Sequence, residues 1–90
     1  MNDIIFLSAS EANRSTIKNK YREVLEKIQN EIQKSINSIE FNAEYFIEKH
    51  KDFDRNDIEI IYRFLKDLGY RVNFSENDYY YNLRINWYKL

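Results

Sequence analysis

Apolar residues recur along this chain with two different periods, and the changes of period mark out its elements. Ile17, Tyr21, Val24, Leu25, Ile28, Ile32, Ile36 and Ile39 follow one another mostly at steps of three and four, which places them on one face of a helix. Lys18, Arg22, Glu26 and Lys34 fall on the opposite face, and Glu23 and Lys27 have the favourable i,i+4 spacing of opposite charges. The pattern predicts a helix over 16–39. Upstream, Ser8-Ala9-Ser10-Glu11 has the form of a capping box, so helical structure is expected to begin there. Asn13-Arg14-Ser15-Thr16 are mediocre helix formers and Ser15 is a second possible N-cap, which leaves open whether 8–39 is one helix or two. Residues 1–7 read as an apolar lead-in, either a brief edge strand or an ordered arm.

At Phe41 the period becomes two. Phe41, Ala43, Tyr45 and Ile47 alternate with Asn42, Glu44, Phe46 and Glu48, as in a half-buried strand, with helical continuation as the rival because Phe41 and Tyr45 are four apart. The helical period returns after Phe53. Asp54 suits an N-cap with Asp57 at N3, and Phe53 and Ile58 have the spacing of a hydrophobic staple. Ile58, Ile61, Tyr62, Leu65 and Leu68 form the stripe; Lys66 suits the helix's negative pole and Gly69 supplies a left-handed C′ residue. Tyr70, Val72 and Phe74 then alternate with Arg71 and Asn73, Ser75-Glu76-Asn77-Asp78 is the expected turn, and a long strand follows. In it Tyr79, Tyr81, Leu83, Ile85 and Trp87 alternate with Tyr80, Asn82, Arg84, Asn86 and Tyr88.

The longest and most aromatic strand is expected at the centre of the sheet. The predicted fold is a single two-layer α+β domain over 1–90 with connectivity α-β-α-β-β. Its three-stranded sheet has the spatial order first-third-second strand, with two helices covering one face. The outer strands run parallel to each other and antiparallel to the central one, through a right-handed crossover.

Composition narrows the chemistry. There is no cysteine, so no disulfide framework, thiolate nucleophile or Cys-based zinc site, and an intracellular location is expected. The net charge of −1 gives no general attraction to extended nucleic acid or to an anionic membrane. The longest apolar run, Ile4-Ile5-Phe6-Leu7, falls far short of the roughly 20 residues that span a bilayer, which marks the chain as soluble. One glycine and no proline leave little room for mobile loops of the kind that form lids, and exclude a Gly-rich phosphate loop. His50 is the only histidine, and no serine or elbow motif stands in register with it and Asp52 or Asp54. Asp52, Asp54, Asn56 and Asp57 resemble a calcium loop superficially. Asp57 stands where the turn glycine belongs, however, and Arg63 where the bidentate glutamate belongs. Glu44 and Glu48 share an outer strand face without a cleft to make them an acid–base pair. No enzyme, metal or cofactor is expected.

Aromatic residues make up 17% of the chain, eight of them tyrosines, more than one small core absorbs. If Tyr81, Leu83, Ile85 and Trp87 pack under the helices, the opposite face of the sheet gathers Arg71, Asn73, Tyr80, Asn82, Arg84 and Tyr88, with Asn86 and Phe46 beside them. Aromatic planes, guanidinium groups and amides suit bases and phosphates, so these six are the candidate ligand-binding residues. An oligomer interface explains the same composition. A helix over 16–39 measures about 36 Å, longer than the roughly 30 Å breadth of a 90-residue globule, which points to a homo-oligomer. Lys18, Lys20 and Arg22 read as a solvated basic face.

Three short segments carry a resemblance. Leu7-Ser8-Ala9-Ser10-Glu11-Ala12, Leu68-Gly69-Tyr70-Arg71-Val72 and Ile85-Asn86-Trp87 stand in the order found in a group of small tailed-phage proteins. That group has a Leu-Ser/Thr-Ala-x-Glu-Ala start, a Leu-Gly-Tyr-x-Val turn and a terminal Ile-x-Trp strand. The chain departs from it at Glu40-Phe41, where a glycine often precedes the strand. The resemblance implies a phage or prophage source and a stoichiometric binding role in the host cytoplasm, with no catalytic residues. Counter-defence sequestration of a nucleotide immune signal is one such role. A virion structural or assembly protein, or an inhibitor of a host or defence protein, is the alternative.

Overall fold

The computed structural model describes residues 6–50 and 53–88; residues 1–5, and with them most of the expected N-terminal strand or arm, lie outside that range. Six elements follow in order: α1 (Ala9–Lys20), α2 (Arg22–Asn37), β1 (Asn42–Glu48), α3 (Arg55–Asp67), β2 (Arg71–Glu76) and β3 (Tyr80–Asn86). The sheet order is β1-β3-β2, with both outer strands antiparallel to β3. α2 packs on β1 and α3 on β2, so the fold is the expected two-layer α+β arrangement.

The expected helix over 16–39 is corrected at both ends. Asn13 to Thr16 stay helical, Thr16 using its hydroxyl to donate back to the Ala12 carbonyl at 2.9 Å. The break falls at Tyr21, with φ −113° and ψ 26°. Hydrogen bonding carries through it: the Tyr21 N–H donates to the Ile17 carbonyl and the Leu25 N–H to the Tyr21 carbonyl, both at 2.9 Å. This is a bend with a tertiary cause. The buried Tyr21 ring meets Phe53 edge-on at 6.3 Å, and its hydroxyl donates to the Asp57 carboxylate at 2.5 Å. α2 alone is about 24 Å long, so no helix overhangs the core as a 36 Å rod. Instead α1 lies outside it, with no buried residue. The radius of gyration of 15.1 Å exceeds the roughly 12 Å of a compact chain of this length.

At its other end α2 stops before Ile39. The Ile39 and Glu40 N–H groups donate to the Ile36 and Ser35 carbonyls, a Schellman motif that puts Ile39 in the left-handed C′ position with φ 60°. A β-branched side chain is strained there, and Ile39 is 85% exposed rather than part of the helical stripe.

α3 forms as its sequence dictates. The Asp54 carboxylate accepts from the Asp57 N–H and Asp57 reciprocates with the Asp54 N–H, a complete capping box. At its end the Gly69 and Tyr70 N–H groups donate to the Lys66 and Leu65 carbonyls, with Gly69 at φ 101°. Ser8 caps α1 more loosely. Its oxygen accepts from the Glu11 N–H, while its hydroxyl donates to the Glu11 carboxylate, so Glu11 does not reach back to the backbone.

The core lies between the layers: Ile28 and Ile32 from α2; Ile58, Ile61, Phe64 and Leu65 from α3; Ala43, Ile47, Val72, Tyr81, Leu83 and Ile85 from the sheet. Phe64 joins the predicted stripe, and Leu68, past the end of α3, leaves it for solvent. The hairpin turn is later and tighter than expected. β2 continues through Ser75 and Glu76, and the Asn77 carboxamide oxygen accepts from the N–H groups of Tyr79 and Tyr80 at 2.8 and 2.7 Å. Tyr79 therefore sits exposed in the turn and not in the inner face of β3. Below it, Glu76 is 2.6 Å from Lys49 and 3.5 Å from Arg55, tying both outer strands to the start of α3.

Candidate functional site: the open face of the sheet

Side-chain alternation sends every second residue of the sheet away from the helices, and the register assembles these into rows. Asn42, Asn86 and Arg71 form one row; Glu44, Arg84 and Asn73 the next; Phe46, Asn82 and Ser75 the third; Glu48 and Tyr80 the fourth. All six candidate residues are on this outer side or just beyond it. Five are exposed and Asn82 is half-buried.

They do not form one site. Tyr80 and Tyr88 are eight residues apart, about 27 Å along a strand, too far to hold one small ligand between them. Asn73, Asn82 and Arg84 make a central patch. Tyr80 joins it from the turn side, where its ring stands edge-on to Phe46 at 6.4 Å. Arg71 and Tyr88 belong to the opposite end, in a separate shallow recess with Gly69, Tyr70 and Trp87. There Phe41 and Tyr88 form an edge-to-face pair at 5.0 Å, and the Asn86 carboxamide is occupied in accepting from the Tyr88 N–H.

The structure adds residues to the central patch. Glu44 stands beside Arg84, with Nε to Oε1 3.6 Å apart, and accepts from the Asn82 carboxamide nitrogen at 2.7 Å. Its carboxylate neutralises the guanidinium locally, so the patch offers one cation paired with one anion and not a phosphate clamp. Ser75, expected in the turn, faces Asn82 across the register. The sequence shows that Glu44 points outward, but only the pairing of β1 with β3 reveals that it meets Arg84 and Asn82. The carboxamide oxygen of Asn82, Oδ1, is buried without a hydrogen-bond partner, and Asn82 lines a recess of about 130 Å³ with Phe46, Ser75 and Tyr80.

Ionisable groups perturbed by the fold lie elsewhere. Burial, then the hydrogen bond to Asp57, then the negative charges of Asp57 and Asp54 push the Tyr21 hydroxyl up to about 12. The bond from Tyr21, supported by those from Asp54, holds the Asp57 carboxyl below its ordinary value against the effect of burial. Glu76 is lowered by Lys49, with Arg55 assisting. Asp54 and Asp57 are thus engaged in capping. His50 bridges to Phe53 through its backbone, and its ring lies 6.2 Å from the phenyl group. Among the described residues no group of three or more His, Cys, Asp or Glu side chains is placed to hold a metal, and no helix is long and apolar enough to cross a membrane. No protein-family model matches this chain, and neither a curated protein nor a solved structure matches it significantly.

Proposed function

We propose that this chain is a non-catalytic, phage-type binding protein that acts stoichiometrically in the cytoplasm of the infected cell, through the turn-side half of its open sheet face. The observation that carries this reading is the recess where the exposed Phe46–Tyr80 pair meets Asn82, whose carboxamide oxygen has no hydrogen-bond partner. A buried acceptor without a partner is costly, so a ligand whose N–H displaces the side chains covering it gains the bond. An aromatic pair beside an amide acceptor, with Arg84 and Asn73 one row away, suits a nucleobase. Its exocyclic amine meets Asn82 and its plane meets Tyr80 or Phe46. Sequestration of a nucleotide immune signal is the specific form of this proposal, with a homo-oligomer as its natural vehicle. Calorimetry against a panel of cyclic dinucleotides and ADP-ribose derivatives tests it. Binding is expected to weaken at least tenfold in Asn82→Ala and to persist in Tyr88→Ala. No binding across the panel overturns the nucleotide version.

The second reading is an inhibitor of a host protein. Its support is the Arg84–Glu44 pair, which leaves the patch electrically balanced with exposed Phe46 and Tyr80 at its edge, a composition common at protein interfaces. An affinity pull-down from host cells that depends on Phe46 and Tyr80 discriminates this reading. Recovery of the chain in purified particles by mass spectrometry would instead favour a virion role.

A further inference from the structure

The end of the domain away from the hairpin turn gathers apolar side chains that the fold does not bury. α2 and α3 both finish there, β1 and β2 both start there, and β3 ends between them. Ile36, Ile39, Phe41, Leu68 and Tyr88 belong to these termini, and their exposures run from 45% to 85%. They are five of the ten large apolar side chains left exposed among the described residues, so the exposure is concentrated in one patch and not scattered. Phe41 and Tyr88 stand edge-to-face at 5.0 Å, and Leu68 lines the same recess as Tyr88. Ile39 is the unusual member. It is the one non-glycine with a positive φ among the described residues, in the role that Gly69 plays at the end of α3. A β-branched side chain strains the backbone there, and at 85% exposure it returns nothing to its own core. Strain of this kind gathers at functional sites.

We infer that this end is a self-complementary interface, at which two copies meet across a two-fold axis running from the sheet into the helix layer. Charge selects that occupant. Glu40 stands just before β1 and Arg71 opens β2, on opposite edges of the sheet with the end of β3 between them. Both are exposed, and neither has an ion-pair partner among the described residues. The axis turns the β1 edge of one copy against the β2 edge of the other, so each Glu40 faces the second copy's Arg71 around an apolar centre. An anionic membrane surface would instead repel Glu40 and the exposed Asp67 beside it. Size agrees. With about 150–250 Å² for an aromatic side chain and about 100–150 Å² for an aliphatic one, the observed exposures leave about 300–500 Å² of apolar surface per copy. Apolar atoms make up about 60% of an interface, so two copies give a footprint of about 1,000–1,700 Å², against about 1,200–2,000 Å² for a specific complex. The pair is therefore reversible, and dilution separates it.

Sedimentation equilibrium over a concentration series tests the pairing, and a reversible monomer–dimer equilibrium is expected for the unmodified chain. Glu40→Arg and Arg71→Glu each put like charges into both contacts of their own dimer, so each is expected to self-associate about tenfold or more weakly. Mixed in equal amounts, one variant brings two bases and the other two acids, and the mixed pair is expected to form as tightly as the unmodified dimer. Cover by the chain's own ends, or by a different protein, cannot produce that rescue in trans. Ile39→Gly supplies the second readout, because it removes the side chain while relieving its backbone. It is expected to keep its far-UV circular dichroism and to associate about tenfold or more weakly. An unmodified chain that stays monomeric at every concentration overturns the proposal. So does a mixture that pairs no better than its two components, or an Ile39→Gly chain that associates unchanged. The Asn82 recess lies in the turn-side half of the sheet, outside this interface, so failure of one proposal leaves the other standing.

Discussion

Tyr21→Phe isolates the interaction that bends the long helical segment. The substitution keeps the ring, and with it the edge-to-face contact with Phe53 at 6.3 Å, and removes only the hydroxyl that donates to Asp57 at 2.5 Å. A hydrogen bond to a charged group contributes about 1.5–3 kcal/mol net. The raised titration of the Tyr21 hydroxyl sets a ceiling on the same bond. Tyr21 is raised from 10.0 to about 12, and two units correspond to about 2.7 kcal/mol. Burial is the first cause of that rise, so the bond accounts for only part of it. The Tyr21 ring is buried but its bond to Asp57 is only partly so, and solvent screens the bond in part. The expected loss is about 2 kcal/mol at neutral pH, or a fall in Tm of about 8–16 °C for a domain of this size.

The pH dependence gives the sharper test. Tyr21 has a raised pKa in the fold, so its contribution is whole below pH 10 and is lost as pH climbs through about 12. Asp57 has a lowered pKa, so its contribution is whole above its ordinary value of 3.8 and is lost as pH falls through the folded value. Urea unfolding of both proteins, followed by far-UV circular dichroism, should show a difference that is level between the two limits and closes at each end, with the m-value unchanged. A double-mutant cycle with Asp57→Asn removes the capping loss from the comparison. A difference below about 0.5 kcal/mol at neutral pH, smaller than any charge-assisted bond of this kind, refutes the reasoning. A difference that persists undiminished at both extremes does so as well.

Ile39→Gly should raise stability by about 0.5–1 kcal/mol: it relieves a left-handed β-branched residue, and loses part of that gain to unfolded-chain entropy. A higher urea midpoint is the readout. Gly69→Ala should cost about 1–2 kcal/mol in the same assay through backbone strain alone, since an added Cβ at φ 101° would meet nothing within 4 Å. Lys49→Met should raise the Glu76 titration midpoint, read by NMR at the side-chain carboxyl, because the Lys49 hydrogen bond is the first cause of its depression.

The parts of this fold legible in the sequence are those whose cause lies within a few residues. The Asp54–Asp57 box and the Gly69 stop are contacts between near neighbours, and each formed where its spacing placed it. Strand parity is likewise local, so Leu83 and Ile85 faced the core and Arg84 faced out as the alternation required. The bend at Tyr21 was not legible, because the group that anchors it is Asp57, 36 residues away, and no glycine or proline marks the place. Ile39 has the spacing of a last residue in the helical stripe. Its left-handed backbone arises from how α2 must end to enter β1, against the preference of the residue itself.

The candidate site divides along the same line. Parity collects Arg71, Asn73, Tyr80, Asn82, Arg84 and Tyr88 on one side but treats residues about 27 Å apart as neighbours. Cross-strand register decides which of them act together, and register is a long-range property set by which core residues pair. Ala43 opposite Ile85 and Ile47 opposite Tyr81 fix β1 against β3, and that inner-face match forces Glu44 beside Arg84 and Phe46 beside Asn82 on the outer face. The core therefore determines the chemistry of the surface it never touches. A one-residue slip of β1 would turn Ala43 and Ile47 to solvent, and a two-residue slip would keep them inside but part Glu44 from Arg84. The proposed binding patch exists only in the register that packs Ile47 against Tyr81, so any variant that binds ligand normally must also have kept that pairing.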